Sequence, residues 1–143
     1  DHYNLVYREE EREMIPLCKD QGIGLIPWSP MARGFFAGDR KRGGGGESVR
    51  ANSDPFANDL YFREEDFTVA DRAQEIAKAH NVTASQVALA WVLSKPHIAA
   101  PIIGSSKIEH LEQAIAAMEI KLSDEEIRQL EEPYRPHPIL GHS

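Results

Sequence analysis

The chain has 143 residues, 41% apolar and 27% charged, enough for one ordinary domain with a real core. Its formal net charge of −7 argues against a nucleic-acid or anionic-membrane partner, although one basic loop still suffices for a small phosphorylated ligand. The single Cys18 excludes an internal disulfide and makes a reducing, cytoplasmic setting the expectation, and no apolar run approaches membrane-spanning length.

The chain opens Asp-His-Tyr-Asn, with no leader pattern and no initiator Met, so we expect it to begin inside a longer gene product. Alternation of Tyr3, Leu5 and Tyr7 predicts a strand over residues 2–6. Residues 8–21 read as a charged helix whose early Glu9, Glu10 and Glu11 suit the positive end of the helix dipole. Pro16 either kinks that helix or marks its true start, and Gly22 stops it. Cys18 falls on the apolar stripe and is expected to pack in the core rather than act as a nucleophile. Residues 23–28 are apolar on both faces, as a buried parallel strand requires, and residues 31–36 suggest a further strand running into a loop with Arg33 and Gly34.

Residues 37–65 are expected to be a long mobile loop carrying the basic cluster Asp39-Arg40-Lys41-Arg42 and the tetraglycine Gly43 to Gly46. No Gly-Lys-Ser/Thr closes the glycines, so they do not form a P-loop. Phe35, Phe56, Tyr61 and Phe62 are candidate lid residues, with core packing the favoured alternative. Thr68-x-x-Asp71 predicts a cap for a helix over 68–80, with His80 as a C-terminal cation or cap rather than a metal ligand and Asn81 as its left-handed terminator. Thr83 to Gln86 caps a buried helix through Leu93, which Pro96 ends. Residues 98–103 form a third strand, and the helix over 107–119 is expected to bury Ile108, Leu111, Ile115 and Met118. Ser123 and Glu126 box a last helix over 123–132, before an extended, proline-rich tail from Pro133 to Ser143.

The stretch from Ala100 to Gln113 carries the clearest chemical signal. An apolar run ends at Gly104, Ser106 and Glu109 have capping-box spacing, and Lys107 sits in the first helical turn against the dipole. That arrangement is either a phosphate cradle at a helix start or an ordinary connection with a solvated lysine. Alternating strands and helices predict an α/β chain with a parallel sheet. Three strands leave apolar edges exposed, so the chain reads as part of a larger fold.

Four blocks, in order and in register, are similar to the aldo-keto reductase family. They are Tyr3-Asn4-Leu5 with Arg8-Glu9; Gly24-Leu25-Ile26-Pro27-Trp28-Ser29-Pro30-Met31-Ala32-Arg33-Gly34; Ala88-Leu89-Ala90-Trp91-Val92-Leu93-Ser94-Lys95-Pro96; and Pro101-Ile102-Ile103-Gly104. The ending Glu131-Glu132-Pro133-Tyr134 with Pro138 to His142 resembles microbial, especially fungal, aryl-alcohol-dehydrogenase-like members. The resemblance implies a TIM (β/α)8 barrel of which residues 1–143 supply the last three βα units, the C-terminal helix and the tail.

It also implies NADPH-dependent reduction of small aldehydes or ketones to alcohols, with Trp28 stacking on the nicotinamide. Ser29, Met31, Arg33 and Gly34 would line the pyrophosphate, and Gly104, Ser105, Lys107, His110 and Gln113 would hold the adenosine end. His110 stands where the family often has arginine, and Gln113-Ala114 replaces its common Glu-Asn pair, so NAD is not excluded. The family's catalytic Asp, Tyr, Lys and His lie on earlier strands, so none is assigned here and the isolated chain is expected to be inactive. The alternative is a truncated, non-catalytic interaction module or pseudoenzyme whose open sheet edge pairs with another chain.

Overall fold

The computed structural model describes residues 1–38 and 61–138. The expectations placed on the basic cluster at 39–42, the tetraglycine, Phe56 and residues 139–143 lie outside these residues.

Among the described residues, five α-helices follow from local chemistry. Helix α1 (Met14–Gln21) holds Pro16 in its first turn, where a missing N–H costs no hydrogen bond, and ends at Gly22 with φ 67°. The charged stretch before it is a separate 3-10 turn, Glu9–Glu11, so the helix expected over 8–21 is split and begins near the proline. Helix α2 (Glu64–His80) starts one turn ahead of Thr68. Asp66 Oδ2 accepts the Arg63 N–H at 3.0 Å, while the Thr68 hydroxyl donates to the Glu64 carbonyl at 3.1 Å from within the helix. Residues 64 and 65 therefore belong to a helix rather than a loop. Asn81, with φ 55°, terminates α2, and His80 Nε2 lies 2.6 Å from Glu126 Oε1.

Helix α3 (Ala84–Leu93) is boxed by Thr83 and Gln86, whose backbone and side-chain groups bond reciprocally at 3.2 and 3.0 Å. Its Val87 to Val92 run is wholly buried and packs against α2. Helix α4 (Ile108–Ala116) runs into a 3-10 turn, Ala117–Glu119, and helix α5 (Asp124–Glu131) is boxed by Ser123 and Glu126. The tail to residue 138 folds back without helix. The Tyr134 hydroxyl and the His137 N–H both donate to Glu9 Oε1, at 2.8 and 3.0 Å, and the buried His137 ring meets Asp66 at 2.8 Å.

The three expected strands do come together in parallel, but only through single-residue pairings: His2 with Trp28, Leu25 with Ile98, and Trp28 with Ile102. Among the described residues no regular strand is formed. Pro27 and Pro101 have no N–H to give, which interrupts the pairing of the second and third segments between its Ala99-to-Leu25 and Ile102-to-Pro27 bonds. Asn4 also pairs back to Tyr7, turning the first segment after three residues. The strand expected over 31–36 is instead a 3-10 stretch, Ala32–Ala37, kinked at Arg33 and Gly34, with φ 51° and 85°. Its Phe35 and Phe36 are buried, and Phe35 meets Tyr61, Phe62 and Phe67 in one ring cluster. These aromatics are core packing.

The stripe of α4 is not buried. Ile108, Leu111, Ile115 and Met118 face outward, and only Ala114 and Ala117 are covered. Met14 and Leu17 of α1 are exposed as well. Helices α1 and α4 follow the first and last paired segments, so uncovered apolar surface lies at both ends of the array. The periodicity of α4 marked an apolar face correctly, but the described residues supply nothing to cover it.

Candidate functional site

A cleft of about 950 Å³ opens where the turn after Trp28 and the turn after Ile102 diverge. One arm brings Met31, Arg33 and Gly34 to it, and the other brings Gly104, Ser105, Lys107, His110 and Gln113. These are eight of the ten residues expected to hold a cofactor. Because Trp28 pairs with Ile102, the two arms start side by side. The Ile102 N–H donates to the Pro27 carbonyl at 2.8 Å and keeps them there.

The electrostatics are one-sided. Arg33, Lys78, Lys107 and His110 line the cleft, and among the described residues no carboxylate does, in a chain of net charge −7. A pocket that gathers cations from an acidic chain is suited to an anion. The loop into α4 adds backbone donors. Ser106 is not the N-cap; that position is Lys107, extended at φ −128° and ψ 137°, with no side-chain acceptor on the helix start. Ser105 is the reason: its hydroxyl accepts the Lys107 N–H at 3.1 Å and donates to the Lys107 carbonyl at 2.6 Å, holding a local turn in place of a capping box. The first N–H groups of α4 are thereby left without a side-chain partner beside Lys107. A Cβ built on Gly34 or Gly104 meets nothing within 4 Å, so the backbone on both arms is open to close approach.

Trp28 and Ser29 lie beside the cleft and do not line it. Trp28 is 36% exposed and stacks on His2, with centroids 4.1 Å apart and planes 13° apart. His2 stacks in turn on Tyr7, at 4.2 Å and 15°. Ser29 takes a left-handed φ of 57°, and its carbonyl accepts Asn4 Nδ2 at 3.0 Å. Burial, with His137 and Arg33 adding to it, pushes His2 down to about 4.

Sequence reasoning missed the opposite wall: Gln74 and Lys78 of α2, Thr83, and Ala84 to Gln86 at the start of α3. Gln86 Nε2 donates to the Gln113 carbonyl at 3.0 Å and ties this wall to α4. The Thr83 capping box located the helix start, but not what it faces. Among the described residues, no group of three or more His, Cys, Asp or Glu is placed to hold a metal, and no helix is long and apolar enough to cross a membrane.

Residues 2–135 match the aldo/keto reductase family. A Schizosaccharomyces pombe protein named "Putative aryl-alcohol dehydrogenase C977.14c" is 47% identical over 141 residues, which are 99% of this chain and 39% of that protein. The versiconal hemiacetal acetate reductase of Aspergillus parasiticus is 42% identical over 97% of this chain and 40% of its own length. An aldo-keto reductase from Klebsiella pneumoniae, solved in complex with NADPH, superposes with a TM-score of 0.64 at 27% identity, over 95% of this chain and 38% of that one. The chain thus spans about two fifths of the length of the proteins it matches.

Proposed function

The chain belongs to the aldo/keto reductase family, and from that premise we propose that it is the C-terminal, cofactor-binding part of an NADPH-dependent reductase of aldehydes and ketones, aryl carbonyls among them. The observation that carries this reading is the cleft between the two arms, whose described lining holds Arg33, Lys78 and Lys107 and no carboxylate. On this reading the chain holds the last three βα units of a barrel, and the outward faces of α1 and α4 are where the preceding units pack.

The residues present fit the cofactor. Trp28 offers a flat ring with accessible surface for the nicotinamide. Ser29, Met31, Arg33 and Gly34 track the pyrophosphate along a turn that approaches closely because Gly34 has no side chain there. Gly104, Ser105, Lys107, His110 and Gln113 hold the adenosine end, with Lys107 and the α4 N–H groups on the 2′-phosphate. Lys107 is what favours NADP over NAD; the histidine at 110, where the family often has arginine, lowers the margin because it lacks arginine's bidentate fork for a phosphate. When bound, the cofactor supplies the hydride; this chain binds and orients it.

Protonation of the substrate oxygen falls to residues outside the chain. No tyrosine lines the cleft, and the hydroxyls of Tyr3, Tyr61 and Tyr134 lie within 2.8 Å of Glu11, His2 and Glu9. Burial pushes all three above the ordinary tyrosine range. The test compares the 143 residues alone with the full-length protein that contains them. NADPH oxidation with benzaldehyde is expected only from the longer protein. Turnover by the shorter one would contradict the assignment. The open apolar faces favour a second reading, a non-catalytic module that pairs with another chain; a full-length protein that binds no NADPH yet associates through α4 would support it.

A further inference from the structure

The base of the Trp28 ring is built, not incidental. Three rings are layered: Tyr7, His2 and Trp28, at 4.2 and 4.1 Å with planes within 15°. A buried hydrogen-bond network holds these rings from the side. The Val6 N–H donates to Asn4 Oδ1 at 3.0 Å, which fixes the orientation of the Asn4 amide. Asn4 Nδ2 then donates to the Ser29 carbonyl at 3.0 Å and to the Tyr61 oxygen at 3.1 Å. The Tyr61 hydroxyl lies 2.7 Å from His2 Nε2, and Asn4 Nδ2 lies 3.3 Å from the same nitrogen. Asn4 and Tyr61 are buried, so this chain of bonds does not exchange freely with water.

We propose that His2 is a positioning residue for the cofactor, setting the plane of Trp28 through the Tyr7–His2–Trp28 stack while the Asn4–Tyr61 relay locks both the imidazole and the left-handed Ser29 turn. This rests on the reading of Trp28 as the nicotinamide platform. One side of Trp28 is spent on His2, which leaves the other for the cofactor. The two positions pair in parallel, so His2 sits beside Trp28 in backbone as well as ring. An imidazolium can only donate to the Tyr61 oxygen, so protonation fixes the direction of that bond and brings a charge into the buried relay. The groups that bear on that proton are Tyr7 and Asn4 on its own segment, Tyr61, Arg33 and His137.

The experiment uses the full-length protein and measures dissociation constants for NADPH and NADH from pH 4.5 to 7.5. His2→Ala is expected to weaken both by the same factor, roughly three- to tenfold, the worth of one ring pair. His2→Phe keeps a flat ring in the stack but loses the contact with Tyr61, and is expected to weaken both cofactors less than His2→Ala does at pH 7. It should also lose the acid-side weakening that the parent shows, a change a merely structural role would not produce. Trp28→Ala is the reference. If it weakens both cofactors while His2→Ala leaves them unchanged, the inference is overturned and the cofactor reading stands. A flat, identical pH profile for the parent and His2→Phe also overturns it. If Trp28→Ala has no effect, or the parent binds neither cofactor, both fall together.

Discussion

Gly24 faces Ala99 across the second and third paired segments, and Gly24→Ala should force them apart. A Cβ at this position would lie 2.9 Å from Ala99 Cβ, against an ordinary contact of 3.4–4 Å. Neither atom is on a flexible side chain, so relief requires the backbones to separate by about half an ångström or more. The neighbouring hydrogen bonds resist: Leu25 N–H to the His97 carbonyl at 3.0 Å and Ala99 N–H to the Leu25 carbonyl at 2.8 Å. Overpacking of this kind costs about 1–3 kcal/mol, set against roughly 0.4–1 kcal/mol gained from a stiffer unfolded chain. We expect a net loss of about 1–2 kcal/mol by urea denaturation of the full-length protein. Ala99→Gly removes the opposing methyl, so the double variant should recover at least half of the loss by a double-mutant cycle. A Gly24→Ala variant as stable as the parent, or strictly additive single effects, would refute the close-approach argument.

Glu131 anchors α5 to α3 by accepting Trp91 Nε1 at 2.8 Å and Lys95 Nζ at 2.5 Å, with Arg8 3.6 Å away. Burial pushes its carboxyl up, but Lys95, Trp91 and Arg8 outweigh that and hold it below the usual range. Glu131→Ala leaves the buried indole N–H unpaired and should cost about 1–3 kcal/mol in urea unfolding, with Glu131→Gln recovering part of it. His2 supplies a pH dependence of stability. Its folded value of about 4 lies below the ordinary 6.5, so the unfolded chain binds more protons between these values. Its contribution is full above about 6.5 and is lost as pH falls toward 4, and His2→Phe should flatten the melting temperature across that window.

Local chemistry was legible where one side chain meets one backbone group. Thr83 and Ser123 box their helices as their spacing requires, and Gly22 and Asn81 end theirs in the left-handed conformation. It failed where two local options competed. Thr68 had the better capping pattern, yet Asp66 reached the Arg63 N–H first and the helix gained a turn. Ser106 had box spacing, but Ser105 captured the Lys107 backbone. The run from Met31 to Phe36 carried a strand composition, and left-handed Ala32, Arg33 and Gly34 coiled it instead. The two arms of the cleft could be read because each follows its own paired segment. Its far wall could not, since Lys78 and Gln86 reach it only through the packing of α2 on α3. The exposed stripe of α4 belongs to a third class, a face whose partner the described residues do not contain.

The account rests on Lys107 and the open start of α4 as the seat of the adenosine phosphate. Lys107→Glu in the full-length protein, titrated with NADPH and NADH at one ionic strength, tests it most directly. A charge-assisted hydrogen bond is worth about 1.5–3 kcal/mol, so NADPH affinity should fall by roughly tenfold or more. NADH, without the 2′-phosphate, should change by less than about twofold. Equal losses for both cofactors, or none for NADPH, would contradict the assignment.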